Sequence, residues 1–214
     1  MIKLLKKELK LTASPVTYFF LAFVLMAFIP NYPIVLVGFF ICYGVFHSFQ
    51  FGREFNDITY TLMLPVKKSD IVKSKFVFTI LVQLIAFILS LIIVVVNVFV
   101  LSKMQALFSE LTNPNFSFLG YVLIIYALFN LIFLKGYFKT GVKIGIPFTI
   151  FAIIATLLVG VSVALPFFPN LAIINCATFN IYQLIPLGVG LILYATLTFI
   201  SYKLSVRAFD KVDL

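Results

Sequence analysis

The sequence of 214 residues has no tryptophan, one histidine, two cysteines and seven acidic residues. Because His47 is the only histidine, a metal site built from protein ligands or a histidine-based catalytic triad has little support. Cys42 falls in an apolar segment and Cys176 near a polar turn, which argues against a disulfide framework. HExxH, paired aspartates within apolar segments and Ser/His sets are also missing from the sequence. We therefore predict a protein that is not an enzyme, with no catalytic residues and no metal site.

Charged residues make up only 11% of the chain, whereas 63% is apolar and the mean hydropathy is +1.18. Soluble domains carry about 25% charged and 45–50% apolar residues. The composition therefore predicts an all-α polytopic membrane protein with a single transmembrane domain, residues 1–214. No polar segment is long enough to form a second, soluble domain, so we expect any nucleotide hydrolysis to come from another chain.

Six segments approach the roughly 20 residues that a helix needs to cross a bilayer. The predicted spans are residues 16–29, 33–51, 76–101, 118–134, 146–167 and 182–202. With the N-terminus inside, all of the 16 lysines and arginines except Lys103 fall on the cytoplasmic side. This distribution predicts cytoplasmic positions for both termini. It also explains the net charge of +9 without nucleic-acid binding, which we do not expect.

Two segments lie outside these spans or interrupt them. Residues 1–14 form a predicted amphipathic helix with Ile2, Leu5, Leu9 and, less regularly, Thr12 on one face and lysines over much of the rest. Such a helix can lie in the headgroup layer against anionic lipid; the alternative is a frayed tail that only orients span one. Residues 165–181 are apolar but broken by prolines and asparagines, which is compatible with a re-entrant hairpin or with an external loop.

The densest charge lies in residues 52–75, between spans two and three. Gln50, Glu54 and Asp57 recur at spacings of four and three, one turn below His47, and so predict a polar ridge on a helix that leaves the membrane. This region is the predicted cytoplasmic loop, and its ridge would face a partner.

Helix signals in the same loop predict a compact shape. We expect Asp57 to cap a short helix, residues 58–64, that Pro65 ends. Ser69 and Asp70 would start the helix that runs into span three. The predicted result is a rigid cytoplasmic knob; a solvated hairpin connector is the alternative.

These features together resemble the permease subunits of ABC-2 type exporters. The resemblance rests on the opening LLKKELKLTASPVTYFF, on six spans, and on Glu54 and Asn56 followed by LPVKKSDIVKSKF. It covers essentially the whole chain. Among small bacterial members, the sequence is most similar to permeases that export phenol-soluble modulins and similar amphipathic peptides, which implies a multi-pass protein of the bacterial cytoplasmic membrane.

The resemblance implies that the loop helix is a coupling helix seated on a separate ATP-binding subunit, which holds ATP and Mg²⁺, whereas this chain holds no cofactor. It also implies two ATP-binding subunits and a second permease copy or a paralogue, with amphipathic or hydrophobic peptides as cargo. The implied coupling residues are Glu54, Asn56, Asp57, Ile58, Tyr60, Leu62, Pro65, Lys67 and Asp70. Because the family uses spans two and five for transport, the pathway candidates are Phe39, Tyr43, Phe46, His47, Gln50, Phe148 and Phe151.

A substrate-binding membrane subunit of a small-molecule importer is the alternative function. It predicts tight binding of a vitamin-like ligand to the isolated chain, but it does not predict the knob after span two. Polar residues within the spans also allow two interpretations. Gln83, Ser90 and Asn97 share one face of span three and either line a pathway or form interhelical hydrogen bonds. For Asn130 in span four we expect a structural role.

Overall fold

The computed structural model describes residues 2–29, 32–99, 114–141, 143–168, 172–176 and 179–212. Within these ranges every regular element is helical, which confirms the all-α prediction. Several predicted features lie outside them: residues 30–31 of the first external turn, the end of span three at 100–101, Lys103, and residues 169–171 and 177–178 of the interrupted segment. The question of a re-entrant hairpin at 165–181 stays open.

The N-terminal segment turns sharply before the first apolar helix. Helix α1 (Ile2–Lys7) continues as a π-helical turn (Glu8–Thr12), and α2 (Pro15–Leu21) continues as a 3₁₀ turn (Ala22–Phe28). The two halves meet at 87°. Proline favours the first position of a helix, and the Ser14 hydroxyl accepts a hydrogen bond from the Val16 N–H at 3.3 Å. A new helix therefore starts at this point.

The remaining α-helices of the described residues follow this bent pair. They are α3 (Leu36–Glu54), α4 (Asp57–Leu62), α5 (Lys68–Phe99), α6 (Phe116–Phe129), α7 (Lys135–Lys139), α8 (Gly145–Ala164) and α9 (Leu184–Asp210). A π-helical turn, Asn130–Leu134, joins α6 to α7. Short 3₁₀ turns follow α8 (Leu165–Phe167) and precede α9 (Ile181–Gln183).

Helix α6 forms the centre of the bundle. In its most apolar stretch 72% of the residues are buried inside the protein, against 11% for α9. Gly120 of α6 and Gly190 of α9 lie where these two helices touch backbone to backbone, and a Cβ added at Gly120 would overlap the Pro186 carbonyl. Small residues allow such close crossings between helices in membranes.

Among the described residues, four helical stretches are long and apolar enough to cross a membrane: Lys68–Phe99, Phe116–Lys139, Gly145–Phe167 and Ile181–Asp210. The bent pair of α1 and α2 makes five if it is counted as one span. Helix α3 is not among them because its second half carries His47, Gln50, Arg53 and Glu54. Six spans with both termini in the cytoplasm therefore stay a prediction.

Candidate coupling site

The loop between α3 and α5 folds into one short helix, α4. Asn56 precedes α4 in the left-handed conformation (φ 51°, ψ 33°), which asparagine tolerates better than most residues and which redirects the chain. No side chain caps the start of α4. The prediction that Asp57 caps this helix is therefore wrong, and the reason is that its carboxylate has other partners.

Asp57 belongs to a four-residue ion cluster with Lys7, Glu8 and Lys75. The Lys75 ammonium lies 2.8 Å from Glu8 Oε2 and 3.0 Å from Asp57 Oδ2. The Lys7 ammonium lies 2.6 Å from Asp57 Oδ1 and 3.3 Å from Glu8 Oε1, and it donates to Thr61 Oγ1 at 2.7 Å. Two cations and two carboxylates thus join the N-terminal segment, α4 and α5 at one point.

The ion cluster is largely withdrawn from solvent. The side chains of Glu8 and Lys75 are 2% and 4% exposed, and that of Asp57 is 12% exposed. Burial alone would raise the pKa of Asp57, but the nearby Lys75 and Lys7 ammonium groups outweigh it and hold this pKa below its ordinary value. Asp57 is therefore ionised at neutral pH, and the cluster is charge-balanced.

In the N-terminal segment, the side chain of Glu8 points into the protein and reaches this cluster. Leu4, Glu8 and Thr12, each one turn apart, are buried against the protein, whereas Leu9 and Leu11 are exposed. The close fit continues at Gly52, where an added Cβ would collide with the Thr12 methyl group. Placement of this segment in the headgroup layer stays a prediction.

The charged loop exposes several large apolar side chains to its surroundings. Phe55, Tyr60, Met63 and Leu64 are 61%, 65%, 75% and 53% exposed. We call these four exposed side chains the loop patch. The same loop contributes to a cavity of about 180 Å³. This cavity is lined by Gly52, Arg53, Asn56, Asp57, Ile58, Thr59 and Tyr137. Grouped exposed apolar side chains on a soluble surface mark an interaction site.

The predicted coupling residues separate into three groups. Glu54, Asn56, Tyr60, Pro65 and Lys67 are exposed and available to a partner. Ile58 is buried in the core. Leu62 and Asp70 are half-buried, and Asp57 lies in the ion cluster.

The predicted polar ridge of Gln50, Glu54 and Asp57 is present only in part. Gln50 Nε2 donates to Glu54 Oε1 at 3.2 Å, so these two side chains do meet on α3. Asp57 points instead to Lys7 and Lys75. The ridge therefore ends at Glu54.

Six of the seven pathway candidates form one aromatic cluster where α3 meets α8. Phe148 lies at the centre, with its ring centroid 4.0 Å from that of Phe46 and 5.8 Å from that of Tyr43. Phe39 stacks on Phe151 at 6.0 Å. His47 contacts Tyr43 edge-on at 4.6 Å, whereas Gln50 lies outside this cluster beside Glu54.

A family model described as ABC-2 family transporter protein matches residues 3–210. The chain belongs to the ABC-2 transporter family. This ABC-2 protein is the membrane component of an ABC transporter, a multi-pass membrane protein that is not itself the catalyst. ABC-2 permeases typically pair with an ATP-binding subunit. Searches of curated proteins and of solved structures found no match.

Several polar groups inside the ABC-2 bundle form a neutral cluster, which we call the amide network. Gln83 of α5 and Asn130 exchange two hydrogen bonds of 3.0 and 3.1 Å, which confirms the interhelical role for Gln83 and a structural role for Asn130. Tyr194 and Thr198 of α9 complete the network at 2.9 Å each. Ser201 donates to the Asn130 carbonyl.

The other two polar residues of span three behave differently. Ser90 donates to the Ala86 carbonyl of its own helix at 2.9 Å, and Asn97 donates to the Pro114 carbonyl at 2.9 Å. Both are buried. Neither therefore joins Gln83 in the amide network, although the three share a helix face.

Sequence reasoning missed two parts of this candidate coupling site. The first is the ion cluster beyond Asp57, for which two signals existed: Glu8 is the only acidic residue among four nearby lysines, and Lys75 directly precedes an apolar run. The second is the set Phe55, Met63 and Leu64 of the loop patch. Large apolar residues inside a charged loop were the available signal.

Proposed function

We propose that this chain is the transmembrane subunit of an ATP-driven exporter in the bacterial cytoplasmic membrane. Two copies, or one copy and a paralogue, would enclose the transport pathway and bind two ATP-binding subunits that hold ATP and Mg²⁺. The observation that carries the coupling role is the loop patch, four large apolar side chains exposed beside charged residues.

The loop patch is suited to a protein partner because it is both apolar and rimmed by charge. Burying Tyr60 and Met63 in a groove would supply the apolar core of an interface. Exposed Arg53, Glu54 and Lys67 surround this core and can select the partner through complementary charge.

The ion cluster gives the loop a rigid connection to the membrane part. Asp57, the first residue of α4, binds Lys75, which lies near the start of the 32-residue helix α5. A push on α4 would therefore move α5 and the N-terminal segment together. We infer that the loop transmits displacement between the ATP-binding subunit and the spans, besides holding the subunits together.

The proposed cargo is an amphipathic or hydrophobic peptide. The aromatic cluster of α3 and α8 supports this proposal, because aromatic rings with a few polar edges accommodate apolar peptide side chains without one fixed geometry. Phe39, Tyr43, Phe46 and Phe148 are only partly buried, so they are available at a surface between helices or between copies.

Coupling is tested with the full chain purified together with an ATP-binding subunit from its own cells. We expect Tyr60→Ser combined with Met63→Ser to abolish association and peptide-stimulated ATP hydrolysis. Phe167→Ser combined with Ile181→Ser is the matched control, because these side chains are equally exposed, at 68% and 69%, but lie away from the loop. Unchanged association in the loop variant would refute docking at the patch.

Direction and cargo are tested in inverted membrane vesicles that contain the complex. An exporter accumulates a labelled amphipathic helical peptide inside such vesicles only when ATP is supplied outside. Phe148→Ala should slow this accumulation while leaving association with the ATP-binding subunit intact. ATP-dependent loss of preloaded peptide from the vesicles would instead indicate import.

A further inference from the structure

An open groove lies between the first part of α5 and the last part of α9. Its volume is about 370 Å³. Phe76 and Ile80 contribute from α5, and Tyr194, Phe199 and Tyr202 contribute from α9. Phe76 is buried and contacts the Tyr202 ring edge-on at 5.5 Å, so it forms a fixed floor, whereas Phe199 is 57% exposed and forms the outer wall.

The walls of this groove offer hydrocarbon and almost no free polar groups. The Tyr194 hydroxyl donates to Gln83 Oε1, and Thr198 Oγ1, also on the wall, accepts from Asn130 Nδ2. The polar side-chain atoms of Tyr194 and Thr198 are thus already engaged in the amide network. A peptide backbone would find few hydrogen-bond partners here, which it needs when buried. An acyl chain needs none.

One end of the groove is cationic. Lys73, exposed on the first turns of α5, lines it there, and the Lys203 ammonium lies 4.3 Å from the Phe199 ring centroid on the outer wall. Among the residues that the structure describes, neither lysine forms an ion pair. Asp70, one turn before Lys73, is the nearest acidic residue along α5 and is half-buried.

We propose that this groove is a specific site for an anionic phospholipid. One acyl chain lies between α5 and α9, and the phosphate lies at Lys73 and Lys203. Ile80 lies seven positions after Lys73, a rise of about 10 Å along α5, which matches the depth from the headgroup layer into the hydrocarbon.

The lack of tryptophan in this protein makes a direct test possible. Phe199→Trp places the only tryptophan of the full chain on the groove wall. The variant is reconstituted in nanodiscs that contain brominated phosphatidylglycerol or, at the same fraction, brominated phosphatidylcholine. Bromine quenches tryptophan fluorescence on contact, so the ratio of the two quenching efficiencies measures the preference for the anionic lipid.

The matched control is Ile146→Trp. Ile146 is 70% exposed on α8 and lies three residues after Lys143, much as Phe199 lies four residues before Lys203, but it does not line the groove. It therefore reports a lipid near a lysine at similar depth without the groove.

We expect a preference for phosphatidylglycerol of about fivefold for each contributing lysine at Phe199→Trp, and a clearly smaller preference at Ile146→Trp. Adding Lys73→Gln and Lys203→Gln should reduce the first value to the control, whereas arginine at both positions should preserve it. Three results would overturn the proposal: equal quenching by both lipids, a preference that survives the glutamine substitutions, or protection from both lipids, which would indicate a second copy in the groove.

Discussion

Two of the buried polar clusters in the described part of the chain differ in chemistry. The ion cluster of Lys7, Glu8, Asp57 and Lys75 is charged, whereas the amide network around Gln83 and Asn130 is neutral. The first joins the N-terminal segment, the loop helix and the start of α5. The second joins α5, the π-helical turn after α6, and α9.

This difference in charge predicts different structural roles for the two clusters. A buried charge that loses its partner cannot regain water, so each member of the ion cluster strongly requires the others. An amide that loses its hydrogen-bond partner lowers the stability of the fold only moderately. Hydrogen bonds between helices in membranes contribute on average less than 1 kcal/mol. The ion cluster should therefore determine where the loop sits, and the amide network should adjust how the spans pack.

The largest effect is expected from Lys75→Met. It leaves the carboxylates of Glu8 and Asp57 with Lys7 alone, and we expect a loss of about 3–5 kcal/mol in unfolding free energy in mixed micelles. Lys67→Met is the control, because Lys67 is exposed in the same loop and lies outside both the ion cluster and the groove between α5 and α9. Equal stability of the two variants would mean that the ion cluster does not hold the loop.

A smaller loss is expected from Gly120→Ala. The added methyl group meets the Pro186 backbone, so α6 and α9 must separate, which costs about 1–3 kcal/mol and stretches the amide network. Gly160→Ala on α8 adds the same methyl group with no atom within 4 Å and should leave stability unchanged. The same micelle titration measures both; similar losses would refute the close crossing as the cause.

Next in size are Gln83→Leu and Asn130→Leu. Each single change leaves the other amide without this hydrogen-bond partner and should lower the unfolding free energy by about 1 kcal/mol. The double change should lower it by less than the sum of the two. A double-mutant cycle of unfolding free energies measures this coupling. Strict additivity would show that the two side chains do not depend on each other.

The smallest effect concerns pH. The pKa of Asp57 is lowered from 3.8, so its ionised form stabilises the fold above that pH, and this stabilisation is lost as the pH falls through the lower, folded-state value. The stability difference between wild type and Asp57→Asn should therefore be the same at pH 7 and pH 5. It should narrow only below about pH 3.8. If this stability difference already narrowed between pH 7 and pH 5, it would contradict a pKa of Asp57 that Lys75 and Lys7 lower.

Sequence reasoning succeeded where one helix face carries the information. The spacing of Gln50 and Glu54 correctly placed their side chains together, and the interhelical hydrogen bonding predicted for Gln83 is present. It failed for Asp57, because a capping role and an ion-pair role use the same carboxylate. Only the positions of Lys7, fifty residues earlier in the chain, and Lys75, eighteen residues later, decide between them.

The sequence by itself determined the class of the protein: scarce charge and long apolar runs exclude a soluble fold, and basic residues between the runs predict their orientation. The motif of the opening residues and the loop indicated the family. Only the tertiary structure decided that Glu8 turns inward to Lys75 and that the aromatic residues of α3 and α8 meet. These arrangements join segments far apart in the chain, and local periodicity carries no information about which distant faces pack together.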